Sequence, residues 1–368
     1  FPYTTLFRST SEAPKEIICE VETLFEINSN VFYDEDYKVA TLYVPESSIE
    51  AYRNTPAWSQ FQNIKAIGGS EPTFAFDAET GVLTVGGETP MADALEGVGG
   101  LVEVAKGITA VVWQNTTPLT NSDLQGLDNP NMLVYVKADS LVPQNRDNVV
   151  VNGFAKNIVL TDAAEGNNDF YCPQEFTAER ISYSRNFTQT TQTGVSRGWE
   201  SIALPFDVQQ IEHETKGQIT PFQSQTDHKH FWLRQLVDGS LVSVAEICAN
   251  MPYVISMPNS QEYSDEYNLA GRITFSSQHV TVPVTALPVV ANADSSIVMV
   301  GAMQRVVRSS DVWAINKGEV RGQYLEGSVF ERDYREVRPF EAYTRHLNAA
   351  SPAPQRFVSI ADWMAGGE

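Results

Sequence analysis

Cysteine is scarce in this sequence. Among its 368 residues there are three, Cys19, Cys172 and Cys248. Three cysteines cannot all pair within one chain, and their wide spacing contains no CxxC motif. The sequence therefore indicates neither a disulfide framework nor a zinc site. We expect buried free thiols, and one disulfide with one remaining thiol is the alternative.

Long apolar runs are missing as well. No stretch approaches the ~18 apolar residues that a membrane-spanning helix needs, so no transmembrane segment is predicted. The first ten residues, FPYTTLFRST, lack both the basic and the apolar region of a signal peptide. Because this decapeptide resembles translated sequencing-adaptor sequence, residues 1–10 are expected to be a non-native leader. The natural start, with any signal peptide, would then lie upstream.

Basic residues are few compared with acidic ones. The chain has 25 Lys and Arg against 46 Asp and Glu, which gives a formal net charge of −21. Such a surface repels phosphate backbones, and no cluster of Lys and Arg in the sequence offsets it. Nucleic acid and anionic membrane surfaces are therefore excluded as expected partners. Solubility is the favoured explanation of the acidic excess, with a dedicated cation-binding role as the alternative.

The motifs of the common catalytic and phosphate-binding sites are absent. There is no P-loop, no GxGxxG after a strand and no HExxH, and the glycine run 97–100 lacks the spacing of a phosphate loop. A literal GxSxG occurs at 194–198, but a nucleophile elbow needs a buried strand before the serine and a helix after it. Here residues 188–193 are polar and Trp199–Leu204 is predicted as a strand, which indicates a hairpin loop. We expect no enzyme, no catalytic residue and no cofactor.

Two clusters have metal-binding residue types without a complete metal-binding pattern. His228 and His230 would share one face of a strand about 7 Å apart, but a third ligand would have to be His213 or Asp227. Exposed turn histidines are the favoured interpretation. The carboxylates of residues 34–36 lack the alternating ligands and glycine of a calcium loop, which favours a solvated loop. No metal site is predicted.

The composition of the sequence favours many short strands joined by turns. Hydrophobic residues make up 42% of it, with 23 Gly and 19 Pro, and the length suits two or three domains. In Ala40–Gly69 a strand, Thr41–Val44, is followed by a helical return and by a second strand, Asn63–Ile67. A strand, a return and another strand in about 25 residues is the size of one leucine-rich-repeat coil.

Nine residues of this segment, with their order and spacing, resemble the final repeat of BspA-like leucine-rich-repeat surface proteins of anaerobic, Bacteroidetes-type bacteria. They are Leu42, Tyr43, Val44, Pro45, Tyr52, Trp58, Phe61, Asn63 and Ile64. The resemblance covers residues 11–69. It implies a secreted or cell-surface protein that binds host matrix proteins or other cells.

The remaining chain is predicted to be β-rich throughout. Strand-like runs recur at coil-sized steps between residues 70 and 168, which predicts an irregular continuation of the solenoid, with a small separate β domain as the alternative. These runs are Val82–Val85, Ile108–Trp113, Met132–Val136, Val149–Val151 and Ile158–Leu160. After a polar joint at 163–169 the hydrophobic period becomes two, as in Ile181–Thr188, where Ile181, Tyr183, Arg185 and Phe187 alternate with polar residues. The predicted fold is mainly β: a truncated leucine-rich-repeat solenoid followed by an antiparallel β-sandwich over 169–368.

Three functions follow as hypotheses. The first is a non-catalytic interaction protein that binds a protein or glycan on a cell or matrix surface. The second is surface capture of polysaccharide through an exposed row of aromatic side chains, although Trp113, Trp199, Trp232 and Trp313 are each expected in the core. The third is an unfamiliar hydrolase, which would need a concave pocket with converging carboxylates or a serine–histidine pair.

Overall fold

The computed structural model describes residues 16–21, 24–67, 73–99, 107–162, 167–189, 191, 197–224, 226–291, 296–347 and 357–365. Residues 1–10, the predicted leader, lie outside this described part. The chain forms two compact units, Phe1–Glu71 and Pro72–Glu368. Over the described residues strands greatly exceed helices, so the prediction of a mainly β protein is confirmed.

The N-terminal unit contains a three-stranded parallel sheet. Its strands are β1 (Glu16–Ile18), β2 (Thr41–Val44) and β3 (Asn63–Ala66), in that spatial order. Glu16 pairs with Thr41 and Thr41 with Asn63, so equivalent positions recur after 25 and 22 residues. The connections contain two short helices, α1 (Asp34–Val39) and α2 (Ile49–Asn54). Parallel neighbours require such crossovers, because each connection must return the chain to the same end of the sheet.

The core of this unit consists of the residues on which the resemblance depends. Six of the nine are buried in one cluster, Tyr43 and Pro45 are half-buried, and Asn63 is exposed. The Trp58 ring lies 5.1 Å from the Tyr52 ring in an edge-to-face arrangement, and its Nε1 donates a 2.9 Å hydrogen bond to the Phe25 carbonyl. The aromatic residues of the connection between β2 and β3 therefore cover the apolar side of β2.

The C-terminal unit begins with a hairpin and continues as a parallel sheet. β4 (Thr73–Asp77) pairs antiparallel with β5 (Val82–Gly86), which is followed by α3 (Met91–Gly97). Parallel neighbours then follow in the order β5, β6 (Ala110–Trp113), β7 (Leu133–Val136) and β8 (Val149–Val151). The five strands predicted between residues 70 and 168 are all present, and their ends differ from the predicted ones by at most two residues.

The predicted division at residues 168 and 169 is not observed. β9 (Phe154–Ala155) and β10 (Ile158–Thr161) lie before it, and both pair in parallel with β11 (Phe176–Asn186), which lies after it. Their backbone hydrogen bonds join the two parts into one sheet. Pro72–Glu368 is therefore one unit, because strand pairing across the polar segment outweighs its loop-like composition.

The rest of this large sheet extends from β11 through β18. Its strands are β12 (Glu200–Ile202), β13 (Gln210–His213), β14 (Gly217–Pro221), β15 (Lys229–Val237), β16 (Ser240–Ser243), β17 (Tyr253–Ser256) and β18 (Arg272–Val282). The spatial order from β15 is β15-β14-β13-β18-β11. An entirely antiparallel arrangement was predicted here, but β14 and β15 are parallel, because the connection 222–228 carries the chain back alongside the start of β14.

A second sheet has six antiparallel strands. They are β19 (Val289–Ala291), β20 (Ile297–Gly301), β21 (Trp313–Ile315), β22 (Val329–Arg332), β23 (Ala342–His346) and β24 (Phe357–Ser359), followed by α4 (Ile360–Ala365). A shared apolar cluster joins it to the large sheet, with Trp313 and Phe330 on one side and Trp199 and Val254 on the other. In the described part of the chain no helix is long and apolar enough to cross a membrane.

None of the three cysteines forms a disulfide. Cys19 is buried and its Sγ lies 3.0 Å from the Tyr52 hydroxyl; Cys172 is also buried, and desolvation raises its pKa to about 11. Cys248 is exposed, which differs from the expectation of a buried thiol. The prediction of free thiols is confirmed.

Candidate ligand-binding face

The histidines considered as metal ligands are not brought together. His213 is buried, its Nε2 donates to the Ala270 carbonyl, and its Nδ1 accepts from the backbone amides of Thr215 and Lys216. Nδ1 thus serves the turn after β13, and Nε2 ties that turn to the segment before β18. Among the described residues no group of three His, Cys, Asp or Glu side chains is placed to hold a metal ion.

The acidic segment 34–36 has a local structural role. It forms the first turn of α1 rather than the predicted solvated loop. The Asp36 side chain is buried and accepts a 3.0 Å hydrogen bond from the Tyr33 backbone amide. Carboxylates are favoured here because the first turn of a helix exposes unpaired amides at its positive end.

Most of the GxSxG segment, including Ser196, lies outside the described residues. Gly198 is described, with φ +78°, and a Cβ there would lie 2.7 Å from the Thr191 backbone. The next element is the strand β12, as predicted, whereas a nucleophile elbow would continue into a helix. Close backbone packing thus explains the second glycine of the motif.

Of the four tryptophans expected in the core, three are there. Trp113, Trp199 and Trp313 are buried, which confirms the prediction for them. Trp232 differs because it is half-buried, on a side of β15 where it packs against the apolar cluster shared with the second sheet. Phe231 and Leu233 point into the core, so the alternation of the strand places His230 and Trp232 on the opposite side.

Four rings form a continuous group on this side of β15: Phe222, His230, Trp232 and Tyr263, called here the aromatic face. The Phe222 centroid lies 5.2 Å from that of His230, with 27° between the planes, and 5.1 Å from that of Trp232. Tyr263 contacts Trp232 at 6.4 Å. Phe222 is 51% exposed, although an aromatic ring gains free energy from burial. The aromatic face therefore offers apolar ring surface to a ligand.

The sheet continues from the aromatic face as a polar surface. Directly paired residues of neighbouring strands point to the same side, so the pairs His230–Thr220, Glu212–Thr274 and Ser184–Thr274 lie on one face. From β15 to β11 this face spans four strand spacings, about 19 Å. A groove of about 450 Å³ lies on it, lined mainly by hydroxyl and amide side chains. They include Ser182, Gln209, Gln210, Ser276 and Gln278.

A buried ion cluster lies beside this face, at the end of β11. The Arg185 guanidinium is 2.7 Å from a Glu200 carboxylate oxygen, 3.6 Å from Asp162 and 3.7 Å from Glu341. Lys317 pairs with Glu341 at 3.1 Å. These carboxylates converge, as a hydrolase would require, but each contacts a cation. Their geometry is that of a structural ion network.

The electrostatics of the cluster agree with this interpretation. Burial alone would raise the pKa of Glu341, but Arg335, Lys317 and Arg185 lower it to about 2. Desolvation raises the pKa of Asp162, which the Arg185 charge opposes. Sequence reasoning missed the cluster. The available signal was Arg185 itself, a charged residue at an inward position among Ile181, Tyr183 and Phe187.

The Glu341 carboxylate makes stability depend on pH in the acid range. Its pKa is lower in the folded protein than the ordinary 4.5, so its stabilising contribution is complete above about pH 4.5. The contribution is lost as the pH falls from there to about 2. We expect a loss of about 3 kcal/mol from this group. Urea unfolding of wild type and Glu341→Gln across this range measures it as a shallower pH dependence of the variant.

The control for this measurement is Glu246→Gln, which removes an exposed glutamate. It should keep the acid dependence of the wild type. Equal slopes for Glu341→Gln and wild type would contradict the expected role of Glu341.

Comparison of the chain with protein-family models, with curated proteins and with solved structures gives no match. The candidate face is therefore assigned from the geometry of its own residues.

Proposed function

We propose that this is a non-catalytic interaction protein, secreted or held on a bacterial cell surface, that recognises macromolecules of host or cell surfaces. At the aromatic face its ligand is carbohydrate. The observation that carries this proposal is the group of contacting rings on the Trp232 side of β15, next to a groove of hydroxyl and amide side chains.

The N-terminal unit supports the interaction role. Parallel strands that recur after 25 and 22 residues, with short helical returns, have the dimensions of leucine-rich-repeat coils. Such coils bind partners through a broad surface and need no reactive groups. Together with the BspA-like pattern of Leu42–Ile64, this favours adhesion outside the cell.

The chemistry of the face favours carbohydrate over other ligands. Sugar rings present C–H surfaces that pack on aromatic rings, and their hydroxyls both donate and accept hydrogen bonds. The Phe222 and Trp232 rings supply the apolar contact, and the Ser182 and Ser276 hydroxyls and the Gln278 amide supply donors and acceptors.

A glycan array probed with the wild type and with Trp232→Ala tests this function. We expect the wild type to bind a defined set of glycans, and Trp232→Ala to bind them at least about tenfold more weakly, roughly 1.4 kcal/mol. Phe222→Ala should weaken the same glycans. Circular dichroism of each variant checks that the fold is retained.

The matched control is Tyr33→Ala, which removes a 71% exposed ring in the N-terminal unit. It should leave the array pattern unchanged. A blank array, or wild-type binding by Trp232→Ala, would refute carbohydrate binding at this face. Binding to immobilised matrix proteins would then identify the function as protein adhesion.

A further inference from the structure

A second concave site lies where the polar face of the sheet meets the buried ion cluster. It is a cleft of about 310 Å³ at the end of β11, and its lining includes four cationic side chains, Arg185, Arg272, Lys317 and Arg338. Asp162 and Glu200 also line it. Such a concentration of positive charge is unexpected in a chain of net charge −21.

Two of the four cations are already neutralised. Arg185 is held by Glu200 at 2.7 Å, and Lys317 by Glu341 at 3.1 Å. Glu200 is fully engaged, since its second oxygen accepts hydrogen bonds from the backbone amides of Thr188 and Gln189. These pairs form the fixed part of the cleft.

In the described part of the chain the other two cations form no ion pair within 4 Å, although the Arg338 charge helps to lower the pKa of Asp162. Arg272 is exposed at the start of β18, where Glu214 accepts from its backbone amide and not from its guanidinium. Arg338 is half-buried, and its backbone amide donates to Glu341. With Arg335, which also pairs with Glu341, five cations face four carboxylates, those of Asp162, Glu200, Glu214 and Glu341, an excess of one positive charge.

The register places the cleft and the aromatic face on one surface. Arg272 pairs with Asn186, and Thr274 with Ser184, so Arg272 lies on the outward side two residues along β18 from Thr274. Thr274 also pairs with Glu212 on β13, which leads to β14 and β15. A ligand on this surface therefore passes from the rings, across hydroxyls, amides and the Glu212 carboxylate, to positive charge.

We propose that this surface binds an acidic oligosaccharide, one that contains hexuronate residues. A sugar ring packs on Trp232 and Phe222, and a hexuronate carboxylate pairs with Arg272 and Arg338. The inference rests on the proposed carbohydrate function and adds the ligand class. Guanidinium groups match carboxylates because two parallel N–H groups meet two oxygens. Four strand spacings, about 19 Å, suit a chain of sugars better than one sugar.

The acidic surface of the protein does not prevent this. Charges more than about 8 Å apart are screened at physiological ionic strength, so the distant carboxylates repel the ligand weakly. The direct pairs with Arg272 and Arg338 act at contact distance. The charges of Arg272 and Arg338 therefore decide whether an acidic or a neutral sugar binds more tightly.

Calorimetric titration with two sets of probes tests the inference. One set is oligomers of galacturonate, mannuronate and glucuronate, and the other is their carboxyl-reduced, neutral counterparts. We expect at least one acidic oligomer to bind the wild type about tenfold more tightly than its neutral counterpart. The double variant Arg272→Gln/Arg338→Gln should lose this preference and keep its affinity for the neutral oligomer. Arg308→Gln, which removes an exposed arginine that does not line the cleft, is the charge control.

The outcomes separate the two proposals. Equal affinity for acidic and neutral oligomers, with binding lost in Trp232→Ala, overturns the acidic ligand and retains the carbohydrate function. Binding of acidic oligomers that is lost in the double variant but unchanged in Trp232→Ala overturns the aromatic face and retains the cationic site. If neither the acidic nor the neutral oligomers bind, both proposals are overturned.

Discussion

Replacing Arg185 with Met is expected to lower the free energy of unfolding by about 3–5 kcal/mol. The Arg185 side chain is 4% exposed and lies among Asp162, Glu200 and Glu341. Removal of the guanidinium leaves buried carboxylates facing one another, and it also removes the 2.9 Å hydrogen bond to the Ser201 carbonyl. An uncompensated buried charge costs more than the pair contributes, which is why the expected loss is large.

Urea unfolding measures this loss, and Arg180→Met is its matched control. Arg180 lies on the same strand, is exposed, and pairs only with the adjacent Glu179 in the described part of the chain. Exposed ion pairs contribute little, so this control should change stability by less than about 1 kcal/mol. Equal effects of the two substitutions would show that the Arg185 cluster does not stabilise the fold.

Replacing Asn131 with Ala is expected to lower the free energy of unfolding by at least about 3 kcal/mol. Asn131 is fully buried, and its amide serves three backbone groups at once. Its Nδ2 donates to the carbonyls of Thr161, at 3.1 Å, and Asn168, at 2.6 Å, and its Oδ1 accepts from the Thr161 amide at 2.8 Å. Each buried group left unpaired costs about 1–3 kcal/mol.

Asn121→Ala is the matched control for Asn131. Asn121 is exposed and donates one hydrogen bond, to the Gln144 carbonyl, which water can replace. We expect a cost below about 1 kcal/mol, measured by the same urea unfolding. A loss for Asn131→Ala as small as this would mean that its three partners are satisfied in another way.

Asn131 belongs to a wider set of buried asparagines that close turns in the C-terminal unit. Asn129 donates to the carbonyls of Ile108 and Asp169, and Asn148 exchanges hydrogen bonds with Val159. A segment rich in asparagine is ordinarily predicted to be an exposed turn. These side chains are buried because neighbouring loops present carbonyls that would otherwise have no donor.

Sequence reasoning succeeded where local pattern was sufficient. Short apolar runs located β2 and β5 to β8, because an apolar strand bounded by turn residues is recognisable without its neighbours. It failed for the division at 168 and 169, where the polar segment suggested a joint. The pairing of β10 with β11 could not be foreseen, because it joins residues on both sides of that segment.

The sequence by itself determined that the protein is mainly β and that Trp113, Trp199 and Trp313 belong to cores. These properties depend on the character and period of adjacent residues, which every strand carries locally. Only the tertiary structure decided that Trp232 is half-buried, that Phe222 lies against it, and that Arg185 meets Glu341. Contacts between residues distant in the chain depend on which strands become neighbours and in which register, and local periodicity contains no such information.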